Sequence, residues 1–211
     1  MERAIKSYLI EKKNSNHSTI GYMSIVDGTN LWNYTTIKNE VILRNSEIWD
    51  YTYVSHGSNI SFTKIGKFCS IWQNFKAWLW KHPTNFVSTH PAFFSIAKQC
   101  WFTFADKNYF QERDVITIGN DVWIWTNVTI LDGVTIWDGA ILWAWCIVTN
   151  NVEPYSIVVG IPAKTLRFRF DESDINFLME FKWWDKDVEW IQKYYKDFHD
   201  IKVFIKNYKH S

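Results

Sequence analysis

The sequence predicts a mainly β protein in which short parallel strands stack into a solenoid. Three observations lead to this fold class. Aliphatic residues recur every six positions in two blocks, small or β-branched residues recur four positions after many of them, and this period fits neither an amphipathic helix nor an alternating hairpin. Three such hexads make one triangular turn of roughly 18 residues, and stacked turns pair as parallel strands.

The first block of hexads runs from Ile25 to Ala77. With one-residue slips between positions 37 and 42 and between 60 and 65, the aliphatic residues expected to point inward are Ile25, Leu31, Ile37, Ile42, Ile48, Val54, Ile60, Ile65, Ile71 and Ala77. The small inward positions are Thr35, Ser46, Thr52, Ser58 and Cys69, and the pattern is expected to fail at Phe75.

The second block begins at Ile118 and has no slips. Its inward aliphatic residues are Ile118, Ile124, Ile130, Ile136, Leu142 and Val148, and its small positions are Val122, Val128, Val134, Ala140 and Cys146. Between the blocks lies a long excursion over residues 78–117. Such a loop on a rigid scaffold usually carries function.

After Arg169 the apolar spacing becomes helical. Asp171 is a candidate N-cap of a first helix and Asp185 or Asp187 of a second, while Trp183 and Trp184 are expected to anchor a core. The predicted organisation is therefore a β-helix domain over residues 1–170, with the inserted loop 78–117, followed by a helical segment over 171–211.

Composition narrows the function. The 211 residues include 23 Lys and Arg against 22 Asp and Glu, so the net charge of +1 gives no support to a nucleic-acid partner. No apolar run reaches membrane-spanning length, the first residues lack the apolar stretch of a signal peptide, and three cysteines show no metal-like spacing. These features predict a cytoplasmic protein with reduced thiols and no membrane insertion.

Several motifs follow one another along the chain in the order of one known family. The sequence resembles the hexapeptide-repeat acyltransferases, in particular the xenobiotic acetyltransferase branch, which includes type B chloramphenicol and streptogramin acetyltransferases and sugar O-acetyltransferase relatives. The matching stretches are Ile65–Ile71, Lys81–Asn85, Ser88–Pro91, Ile118–Ile124, Gly160–Lys164 and Lys182–Asp185. The resemblance implies a left-handed parallel β-helix, acetyl-CoA as co-substrate, no metal, and a homotrimer with active sites shared between subunits.

The resemblance also implies roles for individual residues. His82, in the loop, is expected to be the catalytic general base. His90 and Trp123 are expected to bind substrate, with His90 as the second candidate for the base. Ala144, Gly160 and Lys164 are expected to bind the acetyl-CoA.

Tryptophan is unusually frequent and glycine unusually rare. The chain has 14 Trp and 8 Gly, whereas average usage would give roughly 15 Gly. Ten tryptophans stand where related sequences tend to carry glycine: Trp32, Trp49, Trp72, Trp78, Trp80, Trp101, Trp125, Trp137, Trp143 and Trp145. One interpretation is an outward aromatic ladder. The other is that these positions are UGA codons, which certain bacteria read as glycine, and that glycine, which tolerates left-handed corners, is the native residue.

The predicted function is transfer of an acetyl group from acetyl-CoA to a hydroxyl of a sugar or polysaccharide precursor, by direct attack on the thioester. An antibiotic hydroxyl is the alternative acceptor. Two other classes stay open: a metal lyase like the γ-carbonic anhydrases, for which His56, His82 and His90 lack the usual ligand spacing, and a non-catalytic solenoid.

Overall fold

The computed structural model describes residues 17–77 and 79–209, which form a parallel solenoid followed by helices. Three sheets of eight, six and five strands make the three faces of a triangular coil. Face A comprises β1 (Thr19–Ile20), β4 (Thr36–Ile37), β7 (Tyr53–Val54), β10 (Ser70–Ile71), β13 (Trp123–Ile124), β16 (Ile141–Leu142), β18 (Ser156–Val159) and β19 (Lys164–Phe168). Face B comprises β2 (Ile25–Asp27), β5 (Ile42–Arg44), β8 (Asn59–Ser61), β11 (Lys76–Ala77), β14 (Thr129–Ile130) and β17 (Ile147–Val148). Face C comprises β3 (Asn30–Leu31), β6 (Glu47–Ile48), β9 (Thr63–Ile65), β12 (Ile116–Ile118) and β15 (Thr135–Ile136).

The pairing register shows how the chain climbs the solenoid. Ile37 pairs with Val54 in the early coils, where equivalent positions are 17 residues apart, and Thr129 pairs with Ile147 in the later coils, where they are 18 apart. Between β10 and β13 the separation is 53 residues, because the long loop is inserted there. The insertion leaves the stacking intact, so the loop is held by a continuous scaffold.

The core confirms the hexad prediction with one correction. Most predicted inward aliphatic residues are fully buried, but Ile25 and Ile42 are only half-buried while Val26 and Leu43 point inward. The assignment was wrong because β2 and β5 have three residues, and their middle residue faces the interior. The inward residues are therefore five apart, not six, after Val26, Leu43 and Ile60.

The small inward positions are buried as predicted. Phe75, where the pattern was expected to fail, is also fully buried and fills the same position with an aromatic ring. Burial raises the pKa of the Cys69 thiol to about 12 and that of Cys146 to about 11, so both thiols are neutral core groups.

Each corner contains one residue with left-handed backbone, for example Tyr34, Tyr51 and Phe68 with φ of 56°, 59° and 59°. Their rings stack at centroid distances of 5.0 and 4.8 Å, and Phe68 continues the stack to Trp183. The stack joins successive coils and then the C-terminal segment.

Left-handed backbone, the expected reason for glycine at the tryptophan positions, is absent at most of the described ones. Six of these tryptophans directly follow an inward aliphatic residue, and the left-handed residue of each corner lies two positions further on. Of the described tryptophans only Trp101 and Trp145 have positive φ, 65° in each case. The aromatic ladder does form locally: Trp32 stacks on Trp49 at 4.9 Å, and Trp143 meets Trp125 edge-on at 4.8 Å. Trp78 lies outside the described residues.

The C-terminal segment contains α1 (Glu172–Phe181), α2 (Val188–Tyr194) and α3 (Ile201–Tyr208). Asp171 and Asp187 occupy the N-cap positions of α1 and α2, and the Asp187 carboxylate accepts a hydrogen bond from the Trp190 amide at 2.6 Å. Asp185 instead pairs with Lys67 of the coil at 2.9 Å.

Trp184 is 3% exposed in the small core under these helices, so its predicted role as an anchor is confirmed. No helix in the described part of the chain is long and apolar enough to cross a bilayer.

Candidate active site

The inserted loop leaves face B after β11 and returns to face C at β12. The first and last residues of the loop, here called its stems, are held together next to the coil. The Lys81 amide donates to the Glu112 carbonyl at 2.9 Å, and the Lys81 ammonium forms an ion pair with Asp114. The Arg113 guanidinium lies 3.9 Å from the centre of the Trp80 ring. These contacts give the start of the loop, including position 82, a defined place on the scaffold.

Beyond the stems, the loop has a small aromatic core of its own. Phe94 is fully buried, and its ring meets Phe86 and Phe110 edge-on at 6.4 and 5.8 Å. Such contacts add to simple burial in holding the rings together. The loop is therefore a packed element and can hold a side chain in one geometry.

His82 is exposed at the edge of this aromatic core, with its ring 5.8 Å from Phe94. Its Nδ1 lies 2.6 Å from the Thr89 carbonyl oxygen. Because a carbonyl oxygen can only accept a hydrogen bond, Nδ1 must donate, and the lone pair of the neutral ring is then on Nε2. This tautomer gives a base whose free nitrogen is opposite the anchored one.

His90 makes different contacts. Its Nδ1 accepts a hydrogen bond from the Ala92 amide at 3.2 Å, capping a short 3-10 helix over Pro91–Phe93. Its own amide donates to the Ser88 hydroxyl at 3.1 Å. With Nδ1 accepting, the neutral His90 ring carries its proton on Nε2, and its basic lone pair, on Nδ1, is engaged by the Ala92 amide. In this state His90 is a structural cap, and the geometry disfavours it as the second candidate base.

Trp123 lies on face A and is 36% exposed. Its ring stacks on Trp125 at 5.1 Å, whereas the loop that carries His82 leaves from face B. A single chain therefore places Trp123 and the origin of the loop on different faces of the triangle.

The three residues expected to bind the acetyl donor lie near the C-terminal end of the solenoid. The Ile147 amide of β17 donates to the Gly160 carbonyl at 3.2 Å, and the exposed Lys164 opens β19 just after this turn. Ala144 lies in the corner that precedes β17. Since β11, β14 and β17 are consecutive on face B, β17 lies two coils, about 10 Å, along the axis from the origin of the loop, and Gly160 and Lys164 lie beyond β17.

Sequence reasoning did not identify Thr89, Ser88 or Asp114 as part of the site. A signal existed for Ser88 and His90, since a polar residue before Pro at the first helical position is typical of a capped helix start. The Thr89 carbonyl carries no sequence signal, because any residue supplies the same oxygen.

No group of three His, Cys, Asp or Glu side chains within residues 17–77 and 79–209 is arranged to hold a metal ion. The His82 ring, anchored through Nδ1, offers base chemistry at Nε2.

Comparisons with known proteins bear on the fold and the family of the chain. The family model described as bacterial transferase hexapeptide (six repeats) matches residues 116–150. A chloramphenicol acetyltransferase of Agrobacterium fabrum is 43% identical over 128 residues, which cover 59% of this chain and 60% of that protein. A probable macrolide acetyltransferase of Lysinibacillus sphaericus is 42% identical over 125 residues, which cover 57% of this chain and 68% of that protein.

Among solved structures, AntD, an N-acyltransferase from Bacillus cereus in complex with dTDP-4-amino-4,6-dideoxyglucose and coenzyme A, superimposes with a TM-score of 0.58. It covers 81% of this chain and 93% of its own, at 14% identity, so the likeness shows the fold alone. The sequence relatives go further: with the hexad pattern in place and two thirds of the macrolide relative matched at 42% identity, the chain belongs to the hexapeptide-repeat acetyltransferases.

Proposed function

We propose that this protein transfers the acetyl group of acetyl-CoA to a hydroxyl of a small acceptor molecule, with His82 as the general base. The observation that carries the proposal is the 2.6 Å contact between His82 Nδ1 and the Thr89 carbonyl, which leaves Nε2 free to accept a proton. A base of this kind contributes roughly 10²- to 10⁴-fold to a rate. The family to which the chain belongs supplies the reaction class.

In the proposed mechanism, His82 Nε2 removes the hydroxyl proton as the acceptor oxygen attacks the thioester carbonyl. The new C–O ester bond forms, the C–S bond breaks, and the protonated imidazole returns the proton to the departing sulfur. The Thr89 carbonyl stabilises the imidazolium while it exists, because it accepts the Nδ1 hydrogen throughout. The atoms balance without a covalent enzyme intermediate and without a metal.

For the acetyl donor we propose the C-terminal end of the solenoid. Gly160 has a φ of 90° and leaves the turn without a side chain, and the exposed Lys164 ammonium would meet a phosphate of the donor. Trp145, next to Ala144, is 66% exposed at this end and would narrow the approach of the pantetheine arm.

For the acceptor, two classes have support. The relatives named as chloramphenicol and macrolide acetyltransferases favour an antibiotic hydroxyl. The Lys81–Asn85 and Ser88–Pro91 stretches resemble those of polysaccharide-modifying relatives and favour a sugar hydroxyl. Both acceptors use the same base and the same thioester chemistry, so the reaction class does not depend on the choice.

We also propose that the working form is a homotrimer in the cytoplasm. His82 is exposed in the single chain, and an open site would leave the reacting thioester in water. A neighbouring coil would supply the second wall, and it could bring Trp123 of one subunit to His82 of another. The buried thiols of Cys69 and Cys146 suit a reducing compartment.

The test is thiol release from acetyl-CoA in the presence of chloramphenicol, a macrolide, a streptogramin or a panel of nucleotide sugars. The wild-type chain should turn over with a member of one class, and His82→Ala should lower kcat roughly 10²- to 10⁴-fold. His56→Ala, at an exposed corner of the coil, is the matched control and should retain activity. Full activity of a folded His82→Ala variant would overturn the role of His82, and no turnover with any hydroxyl acceptor would overturn the reaction class.

A further inference from the structure

The tautomer of His82 depends on a single peptide unit. The Thr89 carbonyl, which accepts the His82 Nδ1 hydrogen at 2.6 Å, belongs to the same planar peptide group as the His90 amide. Whatever fixes the orientation of the His90 N–H therefore also fixes the direction of the Thr89 C=O.

Two contacts fix that peptide from the side opposite His82. The His90 amide donates to the Ser88 hydroxyl at 3.1 Å, and the His90 ring accepts from the Ala92 amide at 3.2 Å. His90 has the extended backbone of an N-cap, with φ −79° and ψ 132°. Pro91 follows with a restricted φ, so the chain on this side has little freedom to rotate.

We propose that Ser88 and His90 are positioning residues, which hold the Thr89 carbonyl on His82 and so keep Nε2 of that ring unprotonated. This inference rests on the proposed function, and it assigns His90 a role through hydrogen bonds that needs no proton transfer. A side chain that can accept from the Ala92 amide suffices at position 90, and a hydroxyl suffices at position 88.

The chemistry distinguishes this role from that of a base at position 90. A base at position 90 needs an imidazole nitrogen that takes up a proton near neutral pH, which an amide cannot replace. An N-cap needs only a side-chain acceptor, and Asn is among the best residues for that purpose. The variants His90→Asn and His90→Ala therefore separate the two roles at one position.

The experiment compares His90→Ala with His90→Asn, and Ser88→Ala with Ser88→Thr, in the full chain. Two readouts are used: kcat and KM for acetyl-CoA, and the ¹⁵N NMR shifts of the His82 ring, identified by their loss in His82→Ala. Each Ala variant should lower kcat roughly 3- to 10-fold, as expected for the loss of one hydrogen bond, with KM unchanged. The Nδ1–H tautomer of His82 should give way to a mixture of both. His90→Asn and Ser88→Thr should restore both readouts.

Two results would overturn the proposal. One is a His90→Asn variant as impaired as His90→Ala while the His82 tautomer stays unchanged, which would give the imidazole itself a chemical role. The other is a pair of Ala variants with wild-type kcat and wild-type tautomer. If the wild-type chain shows no acetyl transfer, the proposed function fails, but the NMR comparison still decides whether Ser88 and His90 set the tautomer.

Discussion

At the scale of single residues, a substitution of Lys164 tests donor binding separately from the chemical step. Lys164 is exposed at the first position of β19, which is the fourth strand beyond β10 on face A, and β10 belongs to the coil from which the His82 loop leaves. An ammonium there can contact only a remote part of the acetyl donor. Lys164→Ala should therefore raise the KM for acetyl-CoA several-fold with little change in kcat. Steady-state kinetics at saturating acceptor measure this, and an unchanged KM would remove Lys164 from the site.

The backbone divides the tryptophans into two kinds. Trp145 has left-handed φ at a corner and is mostly exposed, whereas Trp125 lacks positive φ and packs against Trp123 and Trp143. A left-handed conformation costs a residue with a Cβ about 1–2 kcal/mol that glycine avoids. We expect Trp145→Gly to stabilise the fold by about 1 kcal/mol and Trp125→Gly to destabilise it by about 1–3 kcal/mol.

Urea unfolding of the two variants tests this difference, and equal effects would contradict the division of the tryptophans into two kinds.

The origin of the tryptophans is a separate question. An intact mass of the protein from its natural host that matches fourteen tryptophans would rule out the reading of UGA as glycine. A lower mass by whole Trp-to-Gly steps would support it.

The glycines that remain beside the inward aliphatic residues show what that position can require. A Cβ on Gly66 would lie 2.5 Å from the Gly119 carbonyl oxygen, and one on Gly119 would lie 2.6 Å from the Asp138 carboxylate. Successive coils approach too closely at these two corners for any side chain. Here the reason for glycine is close contact between coils, whereas at position 145 glycine would relieve the left-handed backbone that Trp145 adopts.

At the scale of elements, the loop depends on its stems. The Lys81 ammonium lowers the pKa of the Asp114 carboxyl below its ordinary value of 3.8. A carboxyl with a depressed folded-state pKa stabilises the fold above the unfolded pKa, and this contribution is lost as the pH falls through the folded value. The Lys81–Asp114 ion pair is therefore fully formed at neutral pH and weakens only in acid.

Asp114→Asn removes the ion pair and keeps the shape of the side chain. Both groups are about one-third exposed, so the pair contributes at most about 1 kcal/mol. We expect hydrogen exchange at the Lys81 amide to become up to about fivefold faster, while global unfolding changes little. Hydrogen-exchange mass spectrometry over the stems measures this, with Asp106→Asn in the outer part of the loop as the control. Equal exchange in both variants would show that the ion pair does not hold the stems.

At the scale of the whole molecule, the open position of His82 predicts assembly. The loop also exposes large apolar side chains, including Trp101 at 97% and Phe104 at 69%. Such side chains outside a core are typical of a surface that meets another protein. A closed ring of three copies would cover the loop without filament growth. Sedimentation at micromolar concentration should show a trimer, and a fully active monomer would contradict both the shared site and the placement of the loop.

The local pattern of the sequence was enough to predict the solenoid. One buried aliphatic residue per hexad is a property of the chain itself, and stacking is the arrangement that buries all of these residues together. The motif around His82 and the cap at Asp171 were also recognisable, because each is defined by near neighbours along the chain, whereas Asp185 and Asp187 were both candidates for the second cap until the structure showed Asp187 there.

Only the tertiary structure decided which residue of a three-residue strand points inward, as Val26 and Leu43 do in place of Ile25 and Ile42. A strand alternates its faces at every residue, so a shift of one position exchanges inside for outside, and the neighbouring coils decide between them. The proton position on His82 is likewise set by a carbonyl 7 residues away, and the stem ion pair joins residues 33 apart. These contacts follow from how the loop packs, which no pattern of neighbouring residues encodes.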